Sequence, residues 1–151
     1  MLCDFAEAEV AKAAKATGGW LLKEEPSHYS YADLERDGTA IWDGVDNNLA
    51  RKHLRMVKPG DRALYYQTGK DKAIVGEMLV VEGPMAARHA DDPNAVVVRV
   101  QPVKSWPKPV TLAQIKKDPF FAKWDLVRNS RLSVMPVSAE IWRRLEDLAE
   151  A

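Results

Sequence analysis

The run Arg62-Ala63-Leu64-Tyr65-Tyr66-Gln67, then Thr68-Gly69-Lys70-Asp71-Lys72, then Ala73-Ile74-Val75-Gly76-Glu77-Met78-Leu79-Val80-Val81 reads as two strands and the turn between them. β-Branched and aromatic residues fill both arms, as a pleated, half-buried surface favours. The polar segment with Gly69 supplies the reversal. A loop at Asp91-Asp92-Pro93-Asn94 leads to another strand, Ala95–Val103, in which Val96, Val98 and Val100 share one face. Upstream, Trp20–Lys23 is a short strand that ends at Pro26, and downstream Leu132–Val134 is a candidate closing strand.

Helices are inserted between these strands. Ser30 caps one that runs to about Arg36, with Asp33 at the capping-box position, and Asp37-Gly38 ends it. Asn47 or Asn48 caps a second, with Ala50, Leu54 and Val57 on one face. Pro59-Gly60-Asp61 turns the chain into the Arg62 strand. Thr111 and Gln114 form a capping box for a short helix closed by Asp118-Pro119, and Phe120–Trp124 adds one more helical turn. Ser138 caps a last helix with Ile141, Leu145 and Leu148 in register. Five or so strands with helices among them predict an α+β fold with a curled, largely β core.

A chain of 151 residues fits one domain. With 46% hydrophobic and 29% charged residues it is neither disordered throughout nor fibrous. Residues 1–18 stand apart: an alanine-rich stretch stopped by Gly18-Gly19, expected as a leader that is helical or disordered, ahead of a single domain over 19–151. Cys3 is the lone cysteine, which excludes an internal disulfide and a four-cysteine zinc site and fits a reducing, cytoplasmic setting. No apolar run approaches the 18 residues of a membrane span, and the acidic N-terminus is unlike a secretory signal. The net charge is zero, yet Arg51–Lys72 holds seven basic and two acidic residues, or +5, and Lys104–Arg131 holds the same. Such segments suit an anionic partner or, more plainly, solvated faces.

Most catalytic signatures are missing. No G-x-G occurs, Gly69-Lys70 lacks the rest of a phosphate loop, and there is no G-x-S-x-G. His28, His53 and His89 are scattered, so no metal or cofactor is expected. Glu24-Glu25 with Asp43 and Asp46 is the best enzyme-like feature. Adjacent strand residues point to opposite faces, however, so Glu24 and Glu25 do not easily share a site. The stronger signal is aromatic. Of five tryptophans, Trp20 and Trp142 read as core, and Trp106 and Trp124 as core or site. Trp42, in Ile41-Trp42-Asp43-Gly44-Val45 between two helices, is either a core plug or a platform on which a base stacks.

At this point the order of motifs resembles a known family. Trp20-Leu21-Leu22-Lys23-Glu24-Glu25-Pro26 is similar to the opening W-L-x-K-x-E-P of the EVE domain, and Trp42-Asp43-Gly44-Val45-Asp46-Asn47-Asn48-Leu49-Ala50-Arg51 to its W-D-G-V-R-N-x-x-A-R segment. Lys58-Pro59-Gly60-Asp61, Tyr65-Tyr66, Ile74-Val75-Gly76, Pro109-Val110-Thr111-Leu112 and Leu126–Val134 follow in the expected order. The resemblance covers Gly19 to about Leu148. It implies a PUA-like fold, a strongly curved small β-barrel of about five or six strands with flanking and inserted helices, related to the YTH and ASCH domains. It also implies a non-enzymatic module that holds a modified nucleobase in DNA or RNA. The chain departs from the family pattern at Glu24 or Glu25, where serine is usual, at Asp46 for arginine, and at Gln67-Thr68 for a His-Ser pair.

Carried over residue by residue, the resemblance implies a ligand pocket of Lys23, Trp42, Asn47, Tyr66, Gln67 and Ser130, with Arg51, Arg128 and Arg131 on the nucleic-acid backbone. Each has a plainer role as well: Asn47 as a helix cap, Ser130 in a turn, Lys23 as a surface lysine with a buried stem, the arginines in surface ion pairs. Three functions follow. A binding module, monomeric and off the membrane, needs an aromatic-walled pocket with few titratable groups. A nucleobase- or nucleotide-acting enzyme with a carboxylate acid/base needs a strongly raised carboxyl pKa. A protein-interaction module needs a filled barrel mouth beside an exposed apolar patch.

Overall fold

The computed structural model describes residues 18–86 and 94–150. The expected leader over 1–18 lies outside them except for Gly18, as does most of the Asp91–Asn94 loop. In chain order the elements are β1 (Gly19–Glu24), α1 (Tyr31–Asp37), β2 (Ala40–Trp42), α2 (Asn48–Met56), β3 (Arg62–Gln67), β4 (Ala73–Ala86), β5 (Val96–Thr111), α3 (Leu112–Lys117), a 3-10 turn (Pro119–Phe121), α4 (Asp125–Arg128), β6 (Val134–Val137) and α5 (Ala139–Glu150).

Local chemistry sets the helix starts. Ser30 and Asp33 form a reciprocal capping box, Gly38 in the left-handed region closes α1, and Thr111 with Gln114 repeats the box at α3. Asn47 caps α2 by accepting from the Ala50 amide, and the Ser138 hydroxyl accepts from the Ile141 amide at the start of α5.

The six strands form one sheet in the order β2-β5-β4-β3-β1-β6. All neighbours are antiparallel except β1 and β3. That parallel pair needs a crossover, which α1, β2 and α2 provide. Register shifts between β3 and β4 at Tyr65/Tyr66, and four more between β4 and β5, curl the sheet. It curls without closing: β2 and β6 remain its two edges among the described residues, so the expected barrel is an open one.

Three expectations on element bounds shift. β5 runs to Thr111 rather than stopping at Val103, because its bulges absorb Pro102, Pro107 and Pro109. The closing strand is Val134–Val137 rather than Leu132–Val134, and its Pro136 is tolerated at a sheet edge. Trp42 ends a three-residue strand paired with β5, where a loop was expected. One hydrophobic core unites the sheet and helices, with Leu21, Leu22, Leu54, Tyr65, Ile74, Val98, Phe121, Trp142 and Leu145 all sealed from solvent or nearly so. Among the described residues no helix is long and apolar enough to cross a membrane.

Candidate functional site

β1 and β3 finish side by side, so strand parity decides what their last residues present. The register pairs Leu22 with Tyr65, Lys23 with Tyr66 and Glu24 with Gln67. Paired residues share a face and successive ones alternate. Lys23 and Tyr66 therefore project to one side of the sheet end, and Tyr65, Glu24 and Gln67 to the other.

On the first side, Lys23 Nζ lies 5.5 Å from the centre of the Tyr66 ring and donates to the Ser130 carbonyl at 3.1 Å. A cation over an aromatic face is favourable at that distance. Burial lowers the Lys23 pKa from its ordinary value and raises that of the Tyr66 hydroxyl. The backbone ties the same turn down, with Lys23 N donating to Ser133 O at 2.9 Å. Arg128 and Arg131 flank Ser130 in sequence and are both exposed. The structure thus brings Lys23, Tyr66 and Ser130 together, with Ser130 contributing its carbonyl to Lys23.

The second side is aromatic. The Tyr65 ring meets Tyr31 at 5.4 Å and Trp42 at 5.2 Å, edge to face in both cases. Gly76 lies opposite Tyr65 in register, and a Cβ there would stand 2.6 Å from the Tyr31 ring. The missing side chain is what lets Tyr31 pack down. The phenols are committed: Tyr31 donates to Glu77 O at 2.7 Å, Tyr65 to Tyr29 O, and Tyr29 to Asp37 Oδ2 at 2.8 Å. Burial is the leading cause that pushes Tyr29 and Tyr31 up to about 12, and it raises Tyr65 as well.

Trp42 is buried, 4% exposed, with its ring against Tyr65. Gln67 is a clamp: Oε1 accepts from Tyr31 N at 3.0 Å and Nε2 donates to Asp71 Oδ2 at 2.8 Å. Asn47 is exposed and its Oδ1 caps α2 at 3.0 Å. Arg51 Nε donates to Val45 O at 2.7 Å, holding the coil after Trp42 against α2. Gln67 by strand parity, and Trp42 through its contact with Tyr65, lie on the face opposite Lys23 and Tyr66. The other tryptophans are core: Trp20 donates to Asp61, Trp106 to Glu77 and Trp124 to Pro136 O, while Trp142 lies under Arg62 with its indole nitrogen unpartnered.

Two carboxylates enter the site that the ligand set omitted. Glu24 Oε1 accepts from Glu25 N at 2.9 Å and lies 4.0 Å from His28 Nδ1. Burial raises the Glu24 pKa, the Glu25 amide and His28 pull it back, and Asp43 pushes it further up. Asp43, which follows Trp42, is therefore close enough to be felt electrostatically. Glu25 is spent elsewhere, accepting from Thr68 Oγ1 at 3.0 Å and Ser27 Oγ at 3.3 Å. The available signal was parity: Glu24 falls two residues after Leu22 and so shares its face. Among the described residues no cluster of three or more His, Cys, Asp or Glu side chains could hold a metal ion.

Comparison with known proteins places this geometry. The EVE domain model matches residues 19–148. Thymocyte nuclear protein 1 of the mouse is 30% identical over 80% of this chain and 69% of its own length. The chicken protein of that name is 28% identical, and the chain spans 64% of its length. Among solved structures, protein Atu2648 from Agrobacterium tumefaciens superposes with a TM-score of 0.83 at 31% identity, covering 86% of this chain and 91% of that one. Human THYN1 in complex with 5-methylcytosine containing DNA superposes with a TM-score of 0.78 at 27% identity, covering 88% and 98%. An ASCH protein from Zymomonas mobilis shares the fold, with a TM-score of 0.55 at 12% identity over 86% and 94%.

Proposed function

The chain belongs to the EVE domain family, and on that premise we propose that it is a non-enzymatic module that binds a modified base carried in nucleic acid. The observation that carries the reading is the likeness, across nearly all of that chain, to human THYN1, itself in complex with 5-methylcytosine containing DNA.

The two sides of the sheet end divide the work. Lys23, Arg128 and Arg131 give one side cations and donors suited to phosphate. On the other side Trp42 and Tyr65 are packed into the core, and Glu24 and Asp43 make an acidic rim that disfavours phosphate. The nucleic-acid backbone follows the cationic side. Lys23 and Glu24 are consecutive, so one strand end serves both.

The test is fluorescence anisotropy with labelled oligonucleotides, single-stranded and duplex, that carry 5-methylcytosine or cytosine at one position. Binding that is tighter for the modified base, and that weakens with salt, is expected. Arg131→Ala should weaken modified and unmodified oligonucleotides alike and reduce the salt slope by about one. Absence of binding to any oligonucleotide at low salt would overturn the reading.

A further inference from the structure

The 3-10 turn between α3 and α4 leaves an aromatic ring in solvent. Phe120 is 47% exposed, and among the described residues no other phenylalanine, tyrosine or tryptophan is exposed. The ring is nevertheless fixed in place. Asp118 accepts from the Phe120 amide through Oδ1 at 3.0 Å and from Arg144 Nε through Oδ2 at 2.9 Å, and the Arg144 guanidinium stands 5.5 Å from the centre of the Phe120 ring. The buried Phe121 ring meets it at 5.4 Å, edge to face. A ring already held in one geometry loses little further freedom when something stacks on it.

The same stretch of chain is cationic. From Lys116 to Arg131 it carries five basic and two acidic residues. Of the two acids, Asp118 is taken by Arg144, and Asp125 is close enough to His53 of α2 to be felt there electrostatically. Lys116, Lys117, Lys123, Arg128 and Arg131 are all exposed, and among the described residues none of them is in an ion pair. Arg128 Nη1 donates to Lys123 O at 3.5 Å, and Ser130 O accepts from Lys23, so the cationic stretch runs on from the Phe120 turn to the sheet end.

We propose that Phe120 is a stacking platform for an unpaired base of single-stranded DNA, with Lys116, Lys117 and Lys123 serving its phosphates. The inference goes beyond the modified-base reading above: it needs no modification and lies at another place on the chain, and it rests on that reading only for the choice of DNA. Sites that hold a single strand without regard to sequence combine a cationic track with aromatic rings on which bases stack. Arg144 adds a planar cation against the same ring. A protein partner fits this surface less well, because lysine is depleted at protein–protein interfaces and three of the five cations are lysines. A duplex fits less well too, because its bases are stacked on one another and offer no free face.

Fluorescence anisotropy with a labelled single-stranded oligothymidylate of about twelve nucleotides tests this, after urea midpoints have shown each variant folded. Phe120→Ala should weaken binding by about five-fold to 150-fold at an unchanged salt slope. Phe120→Leu keeps an apolar side chain without a π-face and should weaken it as well, whereas Phe120→Trp should bind at least as tightly as wild type. Lys116→Ala with Lys117→Ala should lower the slope of log K on log salt by about 1.4, at about 0.7 for each single-strand phosphate contact. Unchanged binding in Phe120→Ala overturns the inference and leaves the ring to a protein partner, and unchanged binding in Phe120→Leu overturns stacking. A wild type that binds a duplex containing 5-methylcytosine but not the oligothymidylate overturns this inference alone. Phe120-dependent binding of the oligothymidylate, with 5-methylcytosine and cytosine duplexes bound alike, supports it and overturns only the modified-base reading. A uridylate RNA strand bound about ten-fold more tightly than the DNA strand overturns the assignment to DNA.

Discussion

Trp42 is the residue at which packing and recognition can be separated. Its side chain is 4% exposed and stands edge to face with Tyr65 at 5.2 Å. Trp42→Ala removes a large buried ring, which costs about 3–5 kcal/mol, of which the aromatic pair supplies about 0.5–1.5 kcal/mol. At this chain length each kcal/mol moves the melting temperature by roughly 2–4 °C, so a fall on the order of 10 °C is expected. Trp42→Phe retains an aromatic ring beside Tyr65 and should cost about 1–2 kcal/mol. Urea midpoints followed by far-ultraviolet circular dichroism measure both, and anisotropy on the 5-methylcytosine strand is then read where each variant is folded. A loss of binding in Trp42→Phe beyond its loss of stability assigns the indole a part in recognition. An alanine variant less than about 1 kcal/mol below wild type would refute the packing argument.

Asn47→Ala should cost about 1 kcal/mol through loss of the α2 cap, while Asn47→Asp keeps the cap; urea midpoints for the two distinguish this from a ligand role, which would show in binding at unchanged stability. Gly76→Ala should destabilise by about 1–3 kcal/mol, because the new methyl drives into the Tyr31 ring; a neutral effect in the same assay would mean that Tyr31 repacks freely. All four tyrosines have raised pKa values, with burial the leading cause, so each holds its proton in the folded state where the unfolded chain would release it. Their stabilisation is fully present below the ordinary value of 10 and is lost as pH rises towards the folded values, about 12 for Tyr29 and Tyr31. Absorbance at tyrosinate wavelengths should accordingly stay flat through pH 10 and rise together with unfolding, and an early rise to a quarter of the full amplitude would assign one tyrosine an open environment.

Much of the fold was legible because its signals are local. Both reciprocal capping boxes, the Asn47 cap and β3 from Arg62 to Gln67 could be read within a few residues of sequence. What was not legible depends on partners distant in the chain. β2 has three residues and no periodicity to display; it exists because Val98 and Val100 of β5 lie beside it. β5 passes its prolines because bulges against β4 re-register the ladder, which no single strand announces.

The faces of the site residues were hidden for the same reason. Family-pattern residues were collected as one pocket, but that set ignores which face of a strand each residue takes. Lys23 and Tyr66 are register partners, and so are Glu24 and Gln67, one residue further on and on the opposite side. One step along β1 therefore passes from an amine whose pKa burial lowers to a carboxyl whose pKa burial raises. Both shifts penalise the charged form, as withdrawal from water must. The strand end thus carries an electrostatic penalty on both faces, in opposite senses.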